Sequence, residues 1–169
     1  MRRPLLVNGA LLLVAALLAS AVWLSTQQQN PEQKITLTKL TPDQVTEIVI
    51  ESSGSPATRF ARKADSWIMT QPAKDRADQG KIEQLLQITQ GISIRRFSVP
   101  QKLEEFGLNP PQVVLTLNQT RIEMGILHPM NQRRYIRVGD TVHLTNDRFY
   151  HLLLAPEKTL LPQPTQPPQ

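Results

Sequence analysis

The distribution of apolar and polar residues divides the chain into an unbroken apolar run, a patterned middle and a polar tail. Leu5 to Leu24 reads LLVNGALLLVAALLASAVWL without a charged residue. At 1.5 Å rise per residue such a run makes roughly 30 Å of helix, enough to cross the hydrocarbon core of a bilayer. A helix buried in a soluble core would show a polar face, and this run has none. Ala19-Ser20-Ala21 has the small-x-small form of a signal peptidase site, but Val22-Trp23-Leu24 carries the run past the roughly 7 to 15 residues of a signal core, which favours a retained anchor over residues 5–24. Either reading exports the rest of the chain. Residues 25–33, STQQQNPEQ, hold too little apolar surface to pack and read as a polar tether.

The middle changes to period two. Alternation predicts strands at Lys34 to Leu40, Thr46 to Glu51, Ala57 to Lys63 and Trp67 to Thr70, separated by turns at Thr41-Pro42-Asp43, Ser52 to Pro56 and Ala64-Asp65-Ser66, with Pro72 ending the fourth. Asp78 is the predicted cap of a helix from Gln79 to Gln90, with Ile82, Leu85 and Leu86 on one stripe and Gly91 as its left-handed terminator. Ile92, Ile94 and Phe97 predict a strand that carries Arg95 and Arg96. Ser98 to Gln101 has the form of a capping box for a helix over Val99 to Phe106, stopped by Gly107, with Leu108 folding back and Asn109-Pro110-Pro111 imposing an extended exit.

Two hairpins come next in the pattern. Val113, Leu115 and Leu117 alternate before a turn at Asn118-Gln119-Thr120, and Ile122, Met124 and Ile126 alternate after it. Arg133 to Val138 and Thr141 to Thr145 flank Gly139-Asp140, a two-residue connection of the primed kind. Asn146 is the predicted cap of a last short helix in which Phe149, Leu152 and Leu153 share a face. Prolines and glutamines dominate residues 156–169, which predicts a disordered or polyproline-like tail. The fold class expected is α+β: one compact domain over residues 34–155, built of antiparallel hairpins with two or three short helices.

Charge orients this arrangement. Arg2 and Arg3 precede the apolar run and no basic residue occurs after it until Lys34, so residues 1–4 are expected in the cytoplasm and the domain beyond the membrane. The formal charge of +5 falls to +3 without that pair, and the cations are interleaved with acids, which argues against a nucleic-acid surface. The chain has no cysteine, so disulfides, a thiol nucleophile and a lipidated cysteine are excluded.

The order Arg62, Trp67-Ile68-Met69, Pro72, then Ile82, Leu85 and Leu86, then Phe106-Gly107-Leu108-Asn109-Pro110, Met124-Gly125 and Tyr135-Ile136-Arg137 resembles the bacterial domain-of-unknown-function 4340 family over Ile48 to Leu153. The resemblance implies a membrane-anchored envelope protein, periplasmic beyond an inner-membrane span, with some members linked to ABC-type transport components. It brings no established activity and no catalytic residue to carry over.

Candidate chemistry is sparse. His128, His143 and His151 lack the local spacing of a metal site and read as ordinary histidines. Gly54-Ser55-Pro56 lacks the flanks of a nucleophile elbow and reads as a turn. Asp75 and Asp78 would serve as an acid and base pair only in a desolvated cleft, and Asp78 is already explained as a cap. No catalytic, cofactor or metal residue is expected. The best recognition candidate is Arg133, Tyr135 and Arg137, which alternation puts on one strand face, where two guanidinium groups flanking a phenol suit an anionic group or a partner's carboxylates. A solvated sheet face with flat arginine stems explains the same residues. The expected function is a non-catalytic accessory or scaffolding subunit of an envelope or transport complex with a membrane or envelope protein partner. The alternative is a binding module for a small ligand or anionic envelope polymer, with an envelope hydrolase third.

Overall fold

The computed structural model describes residues 35–130 and 132–162, together with Ser20. The expected anchor apart from Ser20, the tether, and the tail from residue 163 lie outside the described residues. The chain divides into two units after Lys34, and the folded domain is the second of them. Among the described residues no helix is long and apolar enough to cross a membrane.

The domain is α+β, built on one antiparallel sheet. Its strands in chain order are β1 (Glu47–Ser52), β2 (Thr58–Lys63), β3 (Ser66–Gln71), β4 (Asp75–Arg76), β5 (Arg95–Ser98), β6 (Val113–Leu117), β7 (Thr120–Leu127), β8 (Arg133–Val138) and β9 (Thr141–Asn146). Among the described residues they make one sheet in the order β4-β3-β2-β1-β6-β7-β8-β9-β5. Two meanders therefore meet where β1 pairs β6, with Ile48 opposite Leu117 and Ile50 opposite Leu115. β5 leaves its chain neighbours and closes the far edge on β9.

One face carries the core. Ile48, Ile50, Phe60, Trp67 and Met69 from the first meander join Leu115, Leu117, Ile122, Met124 and Ile136 from the second, under α1 (Gln79–Leu86) and α2 (Tyr150–Leu153). α1 forms where the sequence predicts it, with Asp78 Oδ1 accepting the Lys81 N–H at 3.1 Å and Ile82, Leu85 and Leu86 buried. Past Leu86 the chain tightens into a 3-10 turn, Gln87–Gln90. Gly91 is not left-handed, since its φ is −56°. It is tied instead by close approach, because a Cβ there would lie 2.9 Å from Leu37 Cδ1 and 3.0 Å from the Ile88 carbonyl oxygen.

Several expected elements differ, most of them because pairing with a distant segment claims the backbone. Of the strand expected over Lys34 to Leu40, residues 35–40 form none: among the described residues only Thr36 bridges, to Ile92, while the Leu37 N–H donates to the Gly91 carbonyl. The strand expected from Ile92 begins at Arg95, leaving Ile92 and Ile94 exposed. Ser98 is not a helix cap. It ends β5 opposite Thr141, and the next N–H, of Val99, donates to Asp140, so the helix shrinks to a 3-10 turn over Leu103–Phe106. Gly107 does terminate that turn in the left-handed region, φ +64°, with Leu108 buried behind it. Asn109 and Pro110 turn rather than extend, closed by a bridge between Leu108 and Pro111. Asn146 is also not a cap, being the last residue of β9, opposite Arg133. The start of the expected tail is folded: α3 (Pro156–Thr159) leads to Leu160, which is fully buried and accepts the Asp78 N–H at 2.8 Å.

Candidate functional site

The face opposite the core is set by register. Tyr135 lies opposite Leu144, and Leu144 opposite Arg95, so these three share one side with Phe97 and Val142. The irregularity in β7 between Met124 and Leu127 turns Ile126 outward and lets the loop from Lys102 to Pro111 approach. Gly125 makes that approach possible, since a Cβ there would collide with the Phe106 carbonyl oxygen and lie 3.1 Å from Leu108 Cγ. The loop thereby delivers Phe106 onto Tyr135.

Four rings result in a chain. Phe106 meets Tyr135 edge-on at 4.9 Å between centroids, Phe97 meets Phe106 at 5.6 Å, and His128 meets Tyr135 at 5.7 Å. Aromatic pairs at such distances favour tilted and edge-to-face geometry, because the ring edge is positive and its face negative. With Leu144, Arg95 and Arg96 these rings line a cleft of about 360 Å³. Arg95 and Arg96 are exposed and make no ion pair among the described residues. His128 Nδ1 accepts the Met130 N–H at 3.2 Å.

The structure separates the residues the sequence singles out. Tyr135 enters the ring chain. Arg137 turns away from it, donating to the Gly139 carbonyl at 3.0 Å and to Glu123 at 3.4 Å, within a surface network that continues through Arg121 to Glu51. Arg133 is half-buried on the Tyr135 face. The sequence reading missed Arg95, Arg96, Phe97, Phe106 and His128 as companions of Tyr135. The available signal was Arg95-Arg96-Phe97 on a strand without an acid beside it.

It also missed Arg134, which points into the core side with Ile136. Its side chain is nearly buried and grips Asp147 with two bonds of 2.7 and 3.0 Å, Gln112 at 2.9 Å and the Gly125 carbonyl, while its Cζ lies 3.4 Å over the Tyr150 ring. Each guanidinium nitrogen has an acceptor, so this is a structural clamp binding β8 to the β7 bulge and to α2.

His143, His151, Asp75 and Asp78 stay outside the cleft. His143 faces the core side, buried, with Nδ1 3.0 Å from Ser93 Oγ. Burial first, and then the Arg96 charge, hold its pKa below the usual imidazole value. Asp75 lies on β4 and bonds its neighbour's N–H, Arg76, at 2.7 Å. Among the described residues no three His, Asp or Glu side chains gather where they could hold a metal ion.

A family described as a domain of unknown function, DUF4340, matches residues 67–161. The chain belongs to the DUF4340 family. The match opens at Trp67 in β3 and takes in the whole ring cleft and the Arg134 clamp, whereas β1 and β2 precede it. No curated protein and no solved structure matches this DUF4340 chain.

Proposed function

We propose that this DUF4340 protein is a non-catalytic accessory subunit of an envelope complex, held at the bacterial inner membrane by residues 5–24 with its domain on the periplasmic side. The observation that carries the reading is the ring cleft at the β5 edge, with Arg95 on its side of the strand and Arg96 on the other, both without acidic partners among the described residues. Rings and arginines are the side chains that most often anchor protein interfaces, because they bury large area and bring directional donors. The apolar run and the flanking Arg2 and Arg3 support the membrane placement. A tether of about nine residues would keep the domain within roughly 30 Å of the bilayer surface even when fully extended. A transport complex is one setting for such a subunit.

A binding module for a small anion or an anionic polymer is the second reading, favoured by a cleft volume within the range of small-ligand sites. Crosslinking of the full-length protein in its native membrane, with identification of the adducts, separates the two. A discrete, reproducible protein partner is expected. Recovery of no protein partner contradicts the accessory-subunit reading and leaves the second.

A further inference from the structure

We infer that the β5 edge beside the ring cleft receives an extended, acidic segment of a partner protein that adds to the sheet there, an inference that rests on the proposed docking role. Among the described residues β5 is the last strand of the sheet and pairs only with β9. The Val99 N–H donates to Asp140, its partner in register, and bonded and non-bonded pairs alternate along an antiparallel ladder. The backbone groups of Arg96 and Ser98 therefore face away from β9, and among the described residues no loop or side-chain bond reaches them.

Three features select the occupant. The open donors and acceptors suit an extended backbone, which adds to a sheet edge through main-chain bonds. Phe97 on the cleft side of β5, with the Phe106 ring packed against it at 5.6 Å, suits an apolar side chain of that strand. Arg95 projects on the cleft side and Arg96 on the other, so acidic side chains on either face meet a guanidinium group. A second copy of β5 fits poorly, because it would bring these arginines beside their own counterparts. A phosphate polymer or lipid headgroup would satisfy the arginines but leave the rings and the backbone edge unused.

The test uses the full-length protein in detergent with a short labelled peptide alternating glutamate and phenylalanine, read by fluorescence anisotropy and by amide hydrogen exchange. Saturable binding is expected, with exchange slowed at the Arg96 and Ser98 amides. Arg95→Glu with Arg96→Glu should weaken binding about tenfold or more while leaving the melting temperature unchanged, since both side chains are exposed. The inference is overturned by binding that leaves those two amides unprotected. Equal binding of a lysine and phenylalanine peptide, equal retention on phosphatidylglycerol vesicles, or no binding at all overturns it too. A negative peptide result with a protein partner still crosslinked in the membrane defeats this inference alone, whereas loss of both defeats the docking role as well.

Discussion

Arg134 and Arg137 stand three residues apart on β8 and do opposite work. Arg137 shares half-buried Glu123 with the exposed Arg121, and pairs at a protein surface contribute roughly 0 to 1 kcal/mol. Arg134 is nearly buried and held by Asp147, Gln112 and the Gly125 carbonyl. Removing one side of a buried pair strands the other, at a cost of about 3 to 5 kcal/mol. Arg134→Ala should therefore lower the urea midpoint severely, and Arg137→Ala should leave it nearly unchanged. His143 adds a pH dependence. Its folded pKa lies below the ordinary 6.5, so the unfolded chain takes up a proton that the native chain resists. Stability is then full above about pH 6.5 and is lost as pH falls through the folded-state value. Denaturation midpoints taken across this range should fall on the acid side, and His143→Gln should flatten that fall. Alternation in β8 made the inward direction of Arg134 legible in the sequence, but its partners Gln112 and Asp147 come from other segments, and no local pattern announces them.

At the scale of elements, periodicity found β1 to β3 of the first meander, both later hairpins and α1, because each is specified by neighbouring residues. It failed where a distant strand captured the backbone. Ser98 and Asn146 have the chemistry of helix caps, yet both are used in ladders, Ser98 against Thr141 and Asn146 against Arg133. Proline content likewise concealed Leu160, which packs into the core from what reads as tail. Leu160→Ala should cost about 2 to 5 kcal/mol by the measured range for buried leucines, detectable as a lowered melting temperature. The ring cleft depends on a bulge and a loop that meet at Gly125. A methyl group there has no room beside the Phe106 carbonyl oxygen and Leu108, so the loop must move off the sheet. Gly125→Ala should destabilise by about 1 to 3 kcal/mol and loosen Phe106 from Tyr135, visible as altered chemical shifts of both rings.

Across the whole molecule, the strand order was the part least legible in sequence. β1 sits between β2 and β6, and β5 travels to the edge beyond β9, so that β1 with β6 and β5 with β9 pair segments far apart in the chain. The candidate site is a product of that order. Arg95 and Phe97 reach Tyr135 only because β5 lies beside β9, and Phe106 joins them only because the β7 bulge admits its loop. That is why the sequence alone placed Tyr135 with Arg133 and Arg137 and not with the other rings. The proposed anchor belongs to the same scale. If proximity to membrane neighbours is part of the function, replacing residues 1–24 with a cleaved export signal should abolish the crosslinks to membrane partners, and undiminished crosslinking of the released domain would refute that role.

Docking at the β5 edge and its ring cleft is tested most directly by placing a photo-crosslinking side chain at Ser98, and separately at exposed Lys63 at the end of β2, in the full-length protein within its native membrane. A discrete protein adduct is predicted from position 98 alone, lost when Arg95 and Arg96 are both changed to glutamate. The same adducts from both positions, or none from position 98, would contradict a docking role for this edge.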